Sequence, residues 1–106
     1  MDSLEATDRA SAAVATNPRV SLDNIRAEIN TVNYISGGII SGDEADNTFT
    51  ICMIKMQNGF IVIGKSAPAS PENFNEELGR KFAYENAVRE LWPLMGFALR
   101  DRLAKR

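Results

Sequence analysis

Residues 48–67, TFTICMIKMQNGFIVIGKSA, decide the fold. Two apolar, β-branched runs flank Asn58-Gly59, and that dipeptide is the strongest short-range signal for a β-hairpin. A two-residue type I′ loop, with positive φ at both central residues, sets the register by counting outward. Gln57 then falls opposite Phe60, Met56 opposite Ile61, Ile54 opposite Ile63 and Cys52 opposite Lys65. One face carries Cys52, Ile54, Met56, Ile61 and Ile63. The other carries Phe49, Ile51, Met53, Phe60 and Val62, interrupted by Lys55 and Gln57. Antiparallel sheets with one wet side alternate apolar and polar residues more cleanly than this. The second face is therefore expected to meet another subunit or another part of the chain.

Upstream, TVNYISGGIIS (Thr31–Ser41) reads as a strand that bends or turns at Gly37-Gly38. The glycine pair lacks the spacing of a phosphate-cradling loop and a helix after it. VSLDNIRAEI (Val20–Ile29) predicts a helix of about ten residues. Ser21 can cap it, Asp23 lies in its first turn, and Leu22, Ile25 and Ile29 form one apolar stripe that must dock on something. GDEADN (Gly42–Asn47) is a polar loop whose carboxylates lack the spacing of a calcium-binding loop. Residues 1–17, rich in Ala, Ser and Thr without sustained periodicity, read as a mobile tail ahead of a single domain over 18–106. A short helix over Ser3–Ala15 is the alternative.

Downstream, SAPASPENFNEEL starts a helix, with Pro71 at a first helical position behind Ser70 and with Asn73 and Glu76 as a second capping pair. From Phe74 to Leu103, apolar residues recur at mostly helical spacing. Trp92-Pro93 interrupts this pattern, since proline inside a helix removes a hydrogen bond and crowds the preceding turn. The helix is expected to kink or restart there. Trp92 would be a buried anchor first and a partner contact second, and Gly96 would allow a close approach. The predicted fold class is α+β: a short N-terminal helix, a small antiparallel sheet built on the Asn58-Gly59 hairpin, and a long proline-kinked C-terminal helix on one sheet face.

Composition narrows the function classes. The chain has 106 residues, 44% of them apolar, and a formal charge of −2. That balance disfavours nucleic acid or an anionic membrane as the main partner, and no apolar run is long enough to span a bilayer. There is no histidine, which removes the commonest general base and metal ligand. The single cysteine, Cys52, cannot form an internal disulfide and suits a reducing compartment. It reads as a small core residue, since no histidine can activate it. No signal-peptide pattern opens the chain. No catalytic residue, metal site or cofactor is expected.

The second half of the chain carries a combination of short motifs. These are Asn58-Gly59-Phe60, Ser66-Ala67, Pro71-Glu72-Asn73-Phe74 through Gly79, Glu85-Asn86-Ala87, and Trp92-Pro93-Leu94 with Gly96-Phe97. Together they resemble a family of small phage proteins named for the gene 49 product of coliphage N-four and the gene 66 product of phage Sf-six. The resemblance spans about Ser21 to Leu103. Lys65 and Met95 stand where that family commonly has an acid, and Asn33 and Ile35 differ around Tyr34. The resemblance implies a phage origin and a role in the host cytoplasm, but no reaction. The expected function is a non-enzymatic accessory protein that binds a host factor, such as an inhibitor of host defence or metabolism. The alternative is a small-molecule binder that sequesters a nucleotide immune signal at a subunit interface. A homo-oligomer is expected in either case. Tyr34, Ser66, Glu85, Asn86 and Trp92 are the candidate binding residues, and Asn58, Gly59, Pro93 and Gly96 are expected to be structural.

Overall fold

The computed structural model describes residues 2–106. Helix α1 (Ser3–Val14) and helix α2 (Leu22–Ala27) lead into strand β1 (Ile29–Ser36), a short helix α3 (Gly37–Ser41) and a 3-10 turn over Glu44–Thr48. Strands β2 (Thr50–Met56) and β3 (Ile61–Ser66) form the hairpin, and a 3-10 turn over Pro71–Asn73 precedes helix α4 (Glu76–Ala104). The strands make one antiparallel sheet in the order β1-β2-β3. This is the expected α+β architecture, with the long C-terminal helix packed across the sheet.

The hairpin register differs from the expected one by one residue. Ile54 pairs with Val62, Cys52 with Gly64 and Ile51 with Lys65. The Gly59 N–H donates to the Met56 carbonyl (2.9 Å) and the Met56 N–H to the Phe60 carbonyl (2.8 Å). Gly59 has φ +89°, while among the described residues no non-glycine residue has positive φ. Asn58 therefore stays in the ordinary region, and the loop has three residues, with glycine in the left-handed position. The Asn58 Oδ1 accepts from the Phe60 N–H (2.9 Å), which holds this turn. Because side chains alternate, the slip sends Val62 inward and Ile61 and Ile63 outward.

Gly64 explains why this register is preferred. A Cβ there would stand 2.0 Å from the Ala83 carbonyl oxygen and 2.5 Å from the Ala87 nitrogen. The α4 backbone therefore lies directly on β3, and only a residue without a side chain fits beneath it. Around this contact, Cys52, Ile54, Met56 and Val62 of the sheet pack with Ala83, Ala87, Val88 and Leu91 of α4 and with Leu22 and Ile25 of α2. Gly79 repeats the arrangement nearer the helix start, where a Cβ would stand 2.9 Å from the Thr50 hydroxyl.

Helix α4 runs unbroken from Glu76 to Ala104 with Pro93 inside it, so the expected restart does not occur. Pro93 and Arg89 are both exposed, so the carbonyl that proline leaves unpaired opens to water instead of to the core. Trp92 holds the helix in place at this point. Its Nε1 donates to the Val20 carbonyl (2.9 Å) and its ring packs against the core. Gly96 lacks the expected close neighbour: nothing lies within 4 Å of where its Cβ would stand. The cap of α4 is Asn75, which accepts from the Leu78 N–H (3.0 Å). Asn73 instead ends the preceding 3-10 turn.

Local signals fix α2 firmly. Ser21 and Asn24 form a reciprocal capping box (3.0 and 2.9 Å). The helix stops at Ala27, however, and Ile29 belongs to β1 and pairs with Met56. Of the two readings of residues 1–17, the helix is the one present, over Ser3–Val14. Leu4 is 1% exposed and joins the core. Asp8 accepts from the Arg19 guanidinium (2.8 Å) and the Leu22 N–H (3.0 Å), and these bonds hold its carboxyl below the usual range.

Candidate functional site

The sheet has two unlike faces. Cys52, Ile54, Val62 and Gly64 point at the helices. On the other face, cross-strand rows place Ile35 beside Ile51 and Lys65, Asn33 beside Met53 and Ile63, and Thr31 beside Lys55 and Ile61. Ile61 is 47% and Ile63 53% exposed, so nothing among the described residues covers this surface. Its centre is apolar, its cross-strand rows carry the charges of Lys55 and Lys65, and Asp46 stands at one end. At one end Ile40, Phe49 and Ile51 line a shallow depression of about 330 Å³.

A second feature lies on the helix side of β1. Tyr34, Ser36, Thr50, Phe74, Glu76 and Arg80 line an open cleft of about 490 Å³. Strand alternation aims Tyr34 and Ser36 to this side, and the first turns of α4 bring Glu76 and Arg80, which pair at 2.7 Å. A phenol, hydroxyls and a guanidinium can together hold a planar or anionic ligand. Burial, then the nearby Cys52 and Tyr84, push the Tyr34 phenol above its usual range, so it is a neutral hydrogen-bonding group at physiological pH.

Cys52 lies behind Tyr34 and is fully buried. Burial pushes its thiol up from 9.0 to about 11, partly offset by a hydrogen bond from Tyr34. Folding therefore disfavours the thiolate. The stabilisation is fully present below about pH 9 and is lost as pH rises towards 11. Urea titrations are expected to show stability falling over that range by up to about 1.4 kcal/mol per pH unit. Cys52→Val should flatten the slope. A Tyr34→Phe control separates the tyrosine contribution, and an unchanged slope in Cys52→Val would refute the assignment.

The sequence-selected residues do not converge on one place. Tyr34 lines the cleft, whereas Ser66 sits in the ladder opposite Thr50. The Asn86 Oδ1 accepts from the Lys65 N–H (3.0 Å), tying α4 to the outer edge of β3. Neighbouring Glu85 is 5% exposed, and among the described residues no hydrogen bond reaches its carboxylate. Trp92 lines a separate groove of about 330 Å³ with Leu4, Thr7, Ser11 and Arg89. Sequence reading missed Thr50, Phe74 and Arg80 as cleft residues. Only the Glu76–Arg80 spacing on one helix face hinted at their proximity. No group of three or more acidic or cysteine side chains able to hold a metal occurs among the described residues. No helix among them is long and apolar enough to cross a membrane.

A family model described as the phage protein (N4 Gp49/phage Sf6 gene 66) family matches residues 20–103. That stretch runs from just before α2 to the last turn of α4 and leaves α1 outside. No curated protein and no solved structure matches the chain.

Proposed function

The chain belongs to the phage protein (N4 Gp49/phage Sf6 gene 66) family, and from that premise we propose that it is a non-enzymatic accessory protein that binds a host protein in the host cytoplasm. The observation that carries this reading is the uncovered sheet face of Ile35, Ile51, Met53, Ile61 and Ile63. A contiguous apolar patch with a polar rim is the usual mark of a protein contact surface. Lys55 and Lys65 at its margins suit a partner with an apolar centre and a rim that includes acids. Such a partner is a component of host defence or host metabolism that the protein inhibits by occupying it.

A photo-crosslinking amino acid at Asn33, beside this patch, tests the reading in host cells. The expected result is a crosslinked host polypeptide that is lost in Ile61→Asp/Ile63→Asp and kept in Phe97→Asp, a change at an exposed residue of α4. Failure to crosslink any host polypeptide with that sensitivity would overturn it.

The cleft beside Tyr34 supports a second reading, in which the protein sequesters a small nucleotide signal at a subunit interface. Tyr34 offers a stacking face and Arg80 a partner for phosphate. Native mass spectrometry of protein purified from infected cells separates the two. A bound nucleotide lost in Arg80→Ala favours sequestration, and a co-purifying host polypeptide favours the first reading.

A further inference from the structure

The two edges of the sheet are treated differently. In an antiparallel ladder, alternate residues point both backbone polar groups at one neighbour and the rest point theirs away. The Gly37 N–H donates to the Phe49 carbonyl (2.6 Å) and the Met56 N–H to the Phe60 carbonyl (2.8 Å), which fixes the phase of both ladders. Thr31, Asn33 and Ile35 therefore bond to β2, and Val32, Tyr34 and Ser36 turn their N–H and C=O groups outward. On the far edge the outward residues are Ile61, Ile63 and Lys65. There the Lys65 N–H is taken by Asn86, and α4 lies against the strand.

The β1 edge lacks such protection. Val32–Ser36 contains no charge and no proline, and the one irregularity of the strand falls earlier, between Ile29 and Thr31. Natural edge strands usually carry one of those guards against pairing with another chain. A regular, uncharged edge is a template for another strand.

We propose that β1 pairs antiparallel with β1 of a second copy about Tyr34, joining the two sheets into one and the two Tyr34 clefts into a single composite site. The segment is self-complementary in this register. Tyr34 faces Tyr34 of the partner, Val32 faces Ser36 of the partner, and each outward donor meets an outward acceptor. Tyr34 lies opposite Cys52 and so stands on the α4 side of the sheet, where its cleft opens. The partner's Tyr34 then closes the open side of each cleft. The uncovered apolar faces also become one continuous surface. This pairing rests on the backbone pattern alone and does not depend on which ligand either surface takes.

Native mass spectrometry and sedimentation of the wild type, Tyr34→Lys, Tyr34→Glu and their mixture provide the test. The wild type is expected to be a dimer. Each variant alone is expected to be a folded monomer, because like charges directly opposite one another across a strand pair are repulsive. The mixture of the two variants should recover a heterodimer. A monomeric wild type, or a Tyr34→Lys variant that remains dimeric, would overturn the pairing. If a charged variant does not fold, Tyr34→Cys in a Cys52→Val background decides, since Cys52 is the cross-strand neighbour of position 34 and would otherwise take the new thiol into an internal disulfide. Mild oxidation giving a disulfide-linked dimer supports the register, and its absence refutes it.

Discussion

Gly64→Ala is expected to destabilise the protein by about 3 kcal/mol, at the upper end of what overpacking costs. The added methyl would overlap backbone atoms of α4, the Ala83 oxygen at 2.0 Å and the Ala87 nitrogen at 2.5 Å. Neither can rotate away as a flexible side chain could. The helix must lift from β3, which also breaks the bond from the Lys65 N–H to Asn86. A lost hydrogen bond of this kind is worth about 1 kcal/mol. For a domain of this size the loss corresponds to a fall in Tm of roughly 10–20 °C. Gly96→Ala provides the contrast. With open space around it and an interior helical position, it should stabilise the monomer by up to about 1 kcal/mol. Urea denaturation measures both. Equal effects at the two glycines would mean that α4 does not lie on Gly64 as described.

Trp92→Ala is expected to cost about 3–5 kcal/mol, as for other aromatics packed against a core. The substitution removes the ring from between α1, α4 and the segment leading to α2, and leaves the Val20 carbonyl without its donor. Trp92→Phe should recover most of the packing but not the hydrogen bond, a net loss nearer 1 kcal/mol. The comparison separates the two contributions. A loss below about 1 kcal/mol for the alanine variant would move Trp92 from anchor to partner contact.

The motifs of the second half become intelligible as packing. Ala87 of Glu85-Asn86-Ala87 provides the small surface that meets Gly64, and Asn86 covers the β3 edge. Trp92 of Trp92-Pro93-Leu94 anchors the helix where proline would otherwise weaken it. By contrast, Gly96 and the 75% exposed Phe97 do nothing visible for the monomer.

Local chemistry made much of this legible. Asn58-Gly59 located the hairpin because the turn needs a residue that tolerates positive φ. The Ser21 box located α2, and sustained helical spacing located α4. The candidate cleft was less legible. Tyr34 was identifiable as a strand aromatic, but Thr50, Phe74 and Arg80 join it only through chain crossings that no spacing records.

The sequence by itself determined the α+β class, the hairpin, the long C-terminal helix and the want of histidine chemistry, but not the short helix α3 at Gly37–Ser41, which it read as a bend in a strand. Only the tertiary structure decided which hairpin residues face inward. Ile61 and Ile63 would bury more apolar area than Val62 and Gly64, so local hydrophobicity favoured the wrong register. Close contact between the α4 backbone and β3 requires a residue without a side chain at position 64, and that requirement outweighs the lost area. The same holds for residues 3–14, where a short helix is marginal alone and gains support by docking Leu4.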